Sequence, residues 1–195
     1  MEHIPQEITE VYNGKYIHTY ELKFADGRKY EVASRNNMDK FMTNTECDAV
    51  DIVAFSEDFN KICIIKEYRI PVGDYVYAFP AGLRDPGESI ARAAERELYE
   101  ETGLFMSKHI KTLSPSYQSA GFSDEKLATV ICNAIGEITN LNQTKDEDIT
   151  PMWVDREEAT ELLSFGKFSG RCQIFLTLWS NSIYPLVKNE GNYVN

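Results

Sequence analysis

Between Gly82 and Gly103 the chain places Glu88, Arg96, Glu97, Glu100 and Glu101. Asp85-Pro86-Gly87 carries turn chemistry, Glu88 suits a helix N-terminus through the macrodipole, and Gly103 can supply the left-handed cap that ends the helix. A helix of about 15 residues fits between those marks. At about 100° per residue, Ala91, Ala94 and Leu98 fall on one side to face a core, and Glu97, Glu100 and Glu101 on the other. Carboxylates crowded on one face repel one another, so a cation is expected among them. Hard oxygen donors suit Mg²⁺ or Mn²⁺, and a divalent ion held this way can sit against a diphosphate. A lone pair of glutamates would ordinarily be a solvated helix face. The fixed spacing of the whole set carries the chemical reading. Arg96 is expected to pair with a neighbouring glutamate and orient it.

The rest of the chain must position this helix. Its 195 residues are 43% apolar, enough for one domain of ordinary size with a short appendage. Residues 16–24 alternate at period two, Asp26-Gly27 is a hairpin turn signal, and residues 29–32 return as the partner strand. This small antiparallel sheet has too few apolar residues to stand alone, so it must pack on the main domain or on another subunit. A polar stretch, 34–45, joins it to the body. There, strands are expected at 48–55, 61–68, 75–79, 109–113, 126–135 and 151–154, and closing helices at 156–165 and 173–181. Strands surrounding helices in mixed order indicate an α+β sandwich.

Composition narrows the function classes. The formal charge of −11 argues against a nucleic-acid polymer as partner, though not against a nucleotide whose charge is masked by metal. No run of 18 apolar residues and no basic leader before an apolar stretch is seen, so neither a membrane span nor a secretory signal is expected, and a cytoplasmic location is the default. Cys47, Cys63, Cys132 and Cys172 are widely spaced without any Cys-x-x-Cys pair, and read as reduced core thiols rather than a zinc site.

Read as Gly82, five residues, Glu88, seven residues, then Arg96-Glu97-Leu98-Tyr99-Glu100-Glu101-Thr102-Gly103-Leu104, the segment resembles the Nudix box of Nudix hydrolases at every fixed position. Flanking segments resemble the ADP-ribose pyrophosphatase-like branch: Glu67-Tyr68-Arg69, Phe79-Pro80-Ala81-Gly82, the run from Ser119 to Glu125, and Glu147-Asp148-Ile149. The resemblance spans about residues 45 to 180 and implies the Nudix α/β/α sandwich with a mixed sheet over 46–195, plus the small N-terminal antiparallel sheet over 1–45 as a dimerisation and base-pocket element.

Carried over by position, the resemblance implies that Glu97 and Glu101 bind metal, that Glu100 shares or supports a metal, and that the Ala81 carbonyl completes a coordination shell. Glu147 matches a carboxylate on a loop that closes over substrate, and Glu100 or Glu147 orients or deprotonates the attacking water. Arg69 matches a contact to the diphosphate or terminal ribose, and Gly82 and Glu125 are further substrate-side positions. Read as residues alone, Arg69 could equally be a strand-end surface charge and Glu147 part of a solvated acidic loop. The implied reaction is metal-dependent cleavage, with two or three Mg²⁺ or Mn²⁺ ions, of a nucleoside diphosphate sugar, foremost ADP-ribose to AMP and ribose 5-phosphate, by a homodimer.

This sequence departs from the branch at two points. ADP-ribose hydrolases usually show Ser-Pro-Gly where it has Ser119-Ala120-Gly121, and Lys145 stands where some relatives place a glutamate base. The first keeps NADH, GDP-mannose and dinucleoside polyphosphates open as substrates. A nucleotide-binding regulator without catalysis is a further alternative, although every box carboxylate is present.

Overall fold

A computed structural model describes residues 3–140 and 148–181. The N-terminal region forms a three-stranded antiparallel sheet in the order β1 (Glu7–Asn13), β2 (His18–Lys23), β3 (Lys29–Ser34). β2 and β3 match the alternating run and its return strand. β1, which lacks their clean period, is an addition. Tyr20 and Leu22 line the inner face of β2, and Phe41, from the connecting stretch, stacks on Tyr20 at 4.1 Å between ring centroids. Folding that connection back supplies the apolar cover which three short strands lack. The sheet is also tied to the body: the Ala33 N–H donates to the Phe122 carbonyl (2.8 Å), and Arg35 pairs with Glu125 (2.8 Å).

The main sheet is mixed. Its path is β11 (Ile149–Val154), β5 (Ile62–Arg69), β4 (Ala49–Phe55), β10 (Lys126–Ile135) and β8 (Phe105–Thr112). β4 and β10 run parallel, and the other neighbours on that path run antiparallel. β6 (Asp74–Ala78) pairs with β5, β7 (Ala81–Leu83) with β4, and β9 (Ser116–Tyr117) with β10. Every residue of β4 is buried, as expected of a strand covered on both faces. Val50, Ile52 and Ala54 pack with α1 (Ile90–Thr102), whereas Val53 and Phe55 pack with α2 (Arg156–Phe165) and α3 (Gly170–Ser180). The three layers of the α/β/α sandwich follow from that alternation. All four cysteines are buried and unpaired by disulfides, and burial pushes the Cys132 thiol up to about 12.

The box helix differs in detail from its expected form. It has 13 residues and is capped by Ser89, whose hydroxyl accepts from the Arg92 N–H, rather than starting at Glu88. Gly103 ends it at φ 75°, as its position indicated. The buried strip is Ala93, Ala94, Glu97, Leu98 and Glu101, while Ala91 is exposed. Glu97 and Glu101 therefore share the strip of Leu98 instead of opposing it, because β7 lays the small residues Ala81 and Gly82 against them there. Elsewhere β8 begins four residues before the expected strand at 109 and α3 three residues before 173. No helix among the described residues is long and apolar enough to cross a membrane.

Candidate active site

β7, the turn after it and α1 meet around the box carboxylates. At Gly82 an added Cβ would lie 2.0 Å from the Glu97 carboxyl carbon and 2.1 and 2.2 Å from its oxygens. Only glycine lets the strand lie against that carboxylate. One residue earlier, the Ala81 N–H donates to Glu101 Oε2 at 2.9 Å. Backbone contact thus fixes two of the helix carboxylates from one side.

Arg96 gathers the others. Its Nη1 donates to Glu97 Oε1 (2.8 Å) and Glu100 Oε2 (3.0 Å); Nε and Nη2 donate to Glu88 (3.1 and 3.0 Å), and Nη2 also to the Leu83 carbonyl (2.9 Å). The hydrogen bonds it donates to Glu88, and to Glu97 and Glu100, hold the guanidinium well above its ordinary range, so it stays cationic. In turn Arg96 lowers the Glu88 carboxyl below the usual carboxylate range. One guanidinium therefore faces Glu88, Glu97 and Glu100, with Glu101 beside them, so these carboxylates outnumber it.

This arrangement bears directly on metal. Among the described residues no group of three or more His, Cys, Asp or Glu is drawn together as a finished cage. Hard oxygen donors, carboxylates that outnumber the guanidinium and a backbone laid against Glu97 nonetheless fit a divalent ion. Glu97 and Glu100 are already held on a single guanidinium nitrogen, within the reach of one cation.

Ala81, Gly82, Glu97, Glu100 and Glu101 are brought together. Arg69 is not joined to them: it ends β5 with its Nη2 2.9 Å from Glu67. Glu125 is engaged by Arg35 at the N-terminal sheet. Glu147 lies outside the described residues, as does Lys145. Asp148, the next described residue, accepts from the Tyr75 hydroxyl (2.6 Å) and, through its carbonyl, from the Tyr68 N–H (3.1 Å). The double hold of Arg96 on Glu88 went unread in the sequence: Glu88 precedes the cap at Ser89, so no helical spacing announces that contact. Between the N-terminal sheet and the loop after β9 lies an open pocket of about 350 Å³, lined in part by Leu22, Tyr30, Phe41, Tyr117, Ala120 and Phe122.

Comparison with known proteins gives the class. The NUDIX domain model matches residues 45–172. The chain is 27% identical over 157 residues to the ADP-ribose pyrophosphatase of Bacillus subtilis, covering 79% of each. It is 35% identical over 112 residues to the ADP compounds hydrolase NudE of Escherichia coli, and there spans only about half of that relative's length, 53%. The crystal structure of an ADP compounds hydrolase superposes with a TM-score of 0.65 at 24% identity, covering 92% of this chain and 95% of that one, which establishes the shared fold. The chain belongs to the Nudix hydrolase family, a pyrophosphatase family that typically uses divalent metals.

Proposed function

We propose that this protein hydrolyses the diphosphate linkage of an ADP-sugar, foremost ADP-ribose, to AMP and ribose 5-phosphate. The observation that carries the reading is the set of helix carboxylates, Glu97, Glu100 and Glu101, gathered beside one guanidinium and laid against the backbone at Ala81 and Gly82. Relatives named for ADP-ribose and ADP compounds support the substrate class.

In this reading Glu97, Glu100, Glu101, the Ala81 carbonyl and Glu147 hold two or three Mg²⁺ or Mn²⁺ ions. Such ions, when bound, offset the charge of adjacent phosphates, acidify a bound water and stabilise the departing phosphate. Arg96 keeps Glu97 and Glu100 oriented. Glu100 or Glu147 takes the proton of the attacking water, whose oxygen joins one phosphorus as the bridging bond breaks. Arg69 and Glu125 serve the diphosphate and the terminal sugar, and Gly82 leaves room for close approach. Residues 1–45 serve as a base-pocket and dimerisation element for the hydrolase domain of 46–195, with the aromatic-lined pocket and the exposed Tyr12 and Tyr16 in support. A light-scattering mass of 22.3 kDa at working concentration would contradict the homodimer.

Ala120, in place of the usual proline, favours a second reading in which the same chemistry acts on NADH, GDP-mannose or a dinucleoside polyphosphate. Chromatography of products from a panel of these compounds with Mg²⁺ separates the cases. Fastest release of AMP and ribose 5-phosphate supports ADP-ribose, and faster turnover of another member moves the specificity there. Tight nucleotide binding without hydrolysis of any member would overturn the enzymatic reading in favour of a regulator.

A further inference from the structure

The sheet face opposite α1 carries a charged cluster that the hydrolytic reading does not use. Asp51 shares that face of β4 with Val53 and Phe55, and its side chain is only 7% exposed. Arg171, in the first turn of α3, brings Nη1 to 3.9 Å from Asp51 Oδ2, and Thr129 hydrogen bonds to the same carboxyl group. The other end of the guanidinium reaches Ser116: Nη2 donates to its carbonyl (3.3 Å) and its hydroxyl (3.1 Å). Asp51 lies beside Thr129 in register, and Ser116 beside Leu127 of the same strand. One side chain from α3 therefore links β4 to β9, with β10 lying between them in the sheet.

β9 is two residues long and opens directly into loop 118–125, which bears Ala120 and Glu125. The loop is closed at its base by the Gln118 N–H on the Glu125 carbonyl (2.9 Å). Its outer side is held by the N-terminal sheet through Ala33 and Arg35. At its stem, where β9 pairs with β10, Arg171 adds a side-chain tie from α3.

The geometry points to Arg171 as a positioning residue for substrate recognition: through Ser116 it fixes loop 118–125, and Asp51 is the buried counter-charge that keeps the guanidinium in place. An arginine suits this task because its planar fork serves a carboxylate at one end and a carbonyl and hydroxyl at the other, which a lysine point charge cannot do. The kinetic consequence rests on the hydrolytic reading. The ordering of the loop rests on the contacts alone.

Arg171→Lys keeps a cation beside Asp51 and so separates positioning from folding. Amides of 118–125 are expected to exchange hydrogen about tenfold faster in this variant, with core amides unchanged. KM for the fastest substrate of the panel is expected to rise about tenfold with kcat within about twofold. Ser116→Ala shifts KM in the same direction by less, and combined with Arg171→Lys adds little, since both act on one contact. A folded Arg171→Lys protein with wild-type loop exchange and KM would overturn the inference, as would a fall in kcat at constant KM, the mark of a smaller active fraction. If the wild type cleaves no substrate, the hydrolytic reading fails by itself, and the exchange measurement still decides whether Arg171 orders the loop.

Discussion

Two arginines lie over opposite faces of one sheet and keep very different company. Arg96 serves Glu88, Glu97 and Glu100 at once, with Glu101 next to them; among the described carboxylates Arg171 pairs with Asp51. On the first face carboxylates outnumber the cation, so the cluster remains attractive to a further positive charge. On the second, one buried charge meets one cation, and the remaining guanidinium donors go to a strand stem. An excess of like charge that a fold tolerates marks chemistry. A balanced pair of the same residue types marks architecture.

The largest effect should come from removing the excess. Glu97→Gln or Glu101→Gln is expected to lower kcat by about 100-fold to 1,000-fold in steady-state assays, since a lost charge contact in a preorganised site costs a few kcal/mol of transition-state stabilisation. Thermal unfolding should change little in comparison.

Next in size is the contrast between the arginines themselves. Arg171→Met leaves Asp51 buried without its cation and should destabilise the fold by about 3 kcal/mol, the low end for a broken buried pair, as suits a 3.9 Å contact. Arg96→Gln should also lower Tm, but Mg²⁺ should restore much of that loss because the ion can take the place of the missing charge. Mg²⁺ should do nothing for Arg171→Met. Equal responses of the two variants to Mg²⁺ would break the comparison.

Gly82→Ala should act on catalysis more than on folding. The new Cβ meets the far end of the Glu97 side chain, which can swing away at low cost, but the displaced carboxylate leaves the site. A drop in kcat of about tenfold or more with nearly unchanged Tm is expected.

The smallest effect is in pH dependence, and its sign differs between the faces. Glu88 has a lowered pKa, through the Arg96 hydrogen bond, so its stabilisation is present above the ordinary value near 4.3 and fades as pH falls through the lower folded value. Asp51 has a raised pKa, chiefly from burial, with Thr129 and Arg171 opposing it. Its folded form holds a proton more tightly than the unfolded chain, so the wild type gains stability relative to Asp51→Asn as pH falls through that raised value. Tm measured from pH 7 to pH 3 should therefore show Glu88→Gln converging on the wild type from below, while the wild type improves against Asp51→Asn.

The same contrast explains what could be read in the sequence. The box helix, its glycine stop and most strands are local patterns of spacing, and they were legible. The exposure of Ala91 and the burial of Glu97 and Glu101 were not, because they depend on β7 lying against the helix at Ala81 and Gly82. β1 forms by pairing along β2 without a clear period of its own, and its tertiary setting outweighs its weak local signal. Arg171 and Asp51 meet only once α3 has packed on β4, so no spacing announces them. Arg69 and Glu125 are legible only as resemblances, and each is held by a charged neighbour away from the carboxylate cluster.

The most direct test of the central account is the rate of ADP-ribose cleavage across a Mg²⁺ titration, for the wild type and Glu101→Gln in parallel. The account predicts no turnover in chelator, saturable activation with equimolar AMP and ribose 5-phosphate for the wild type, and near-complete loss in the variant. Turnover that persists in chelator, or that survives unchanged in Glu101→Gln, would contradict it.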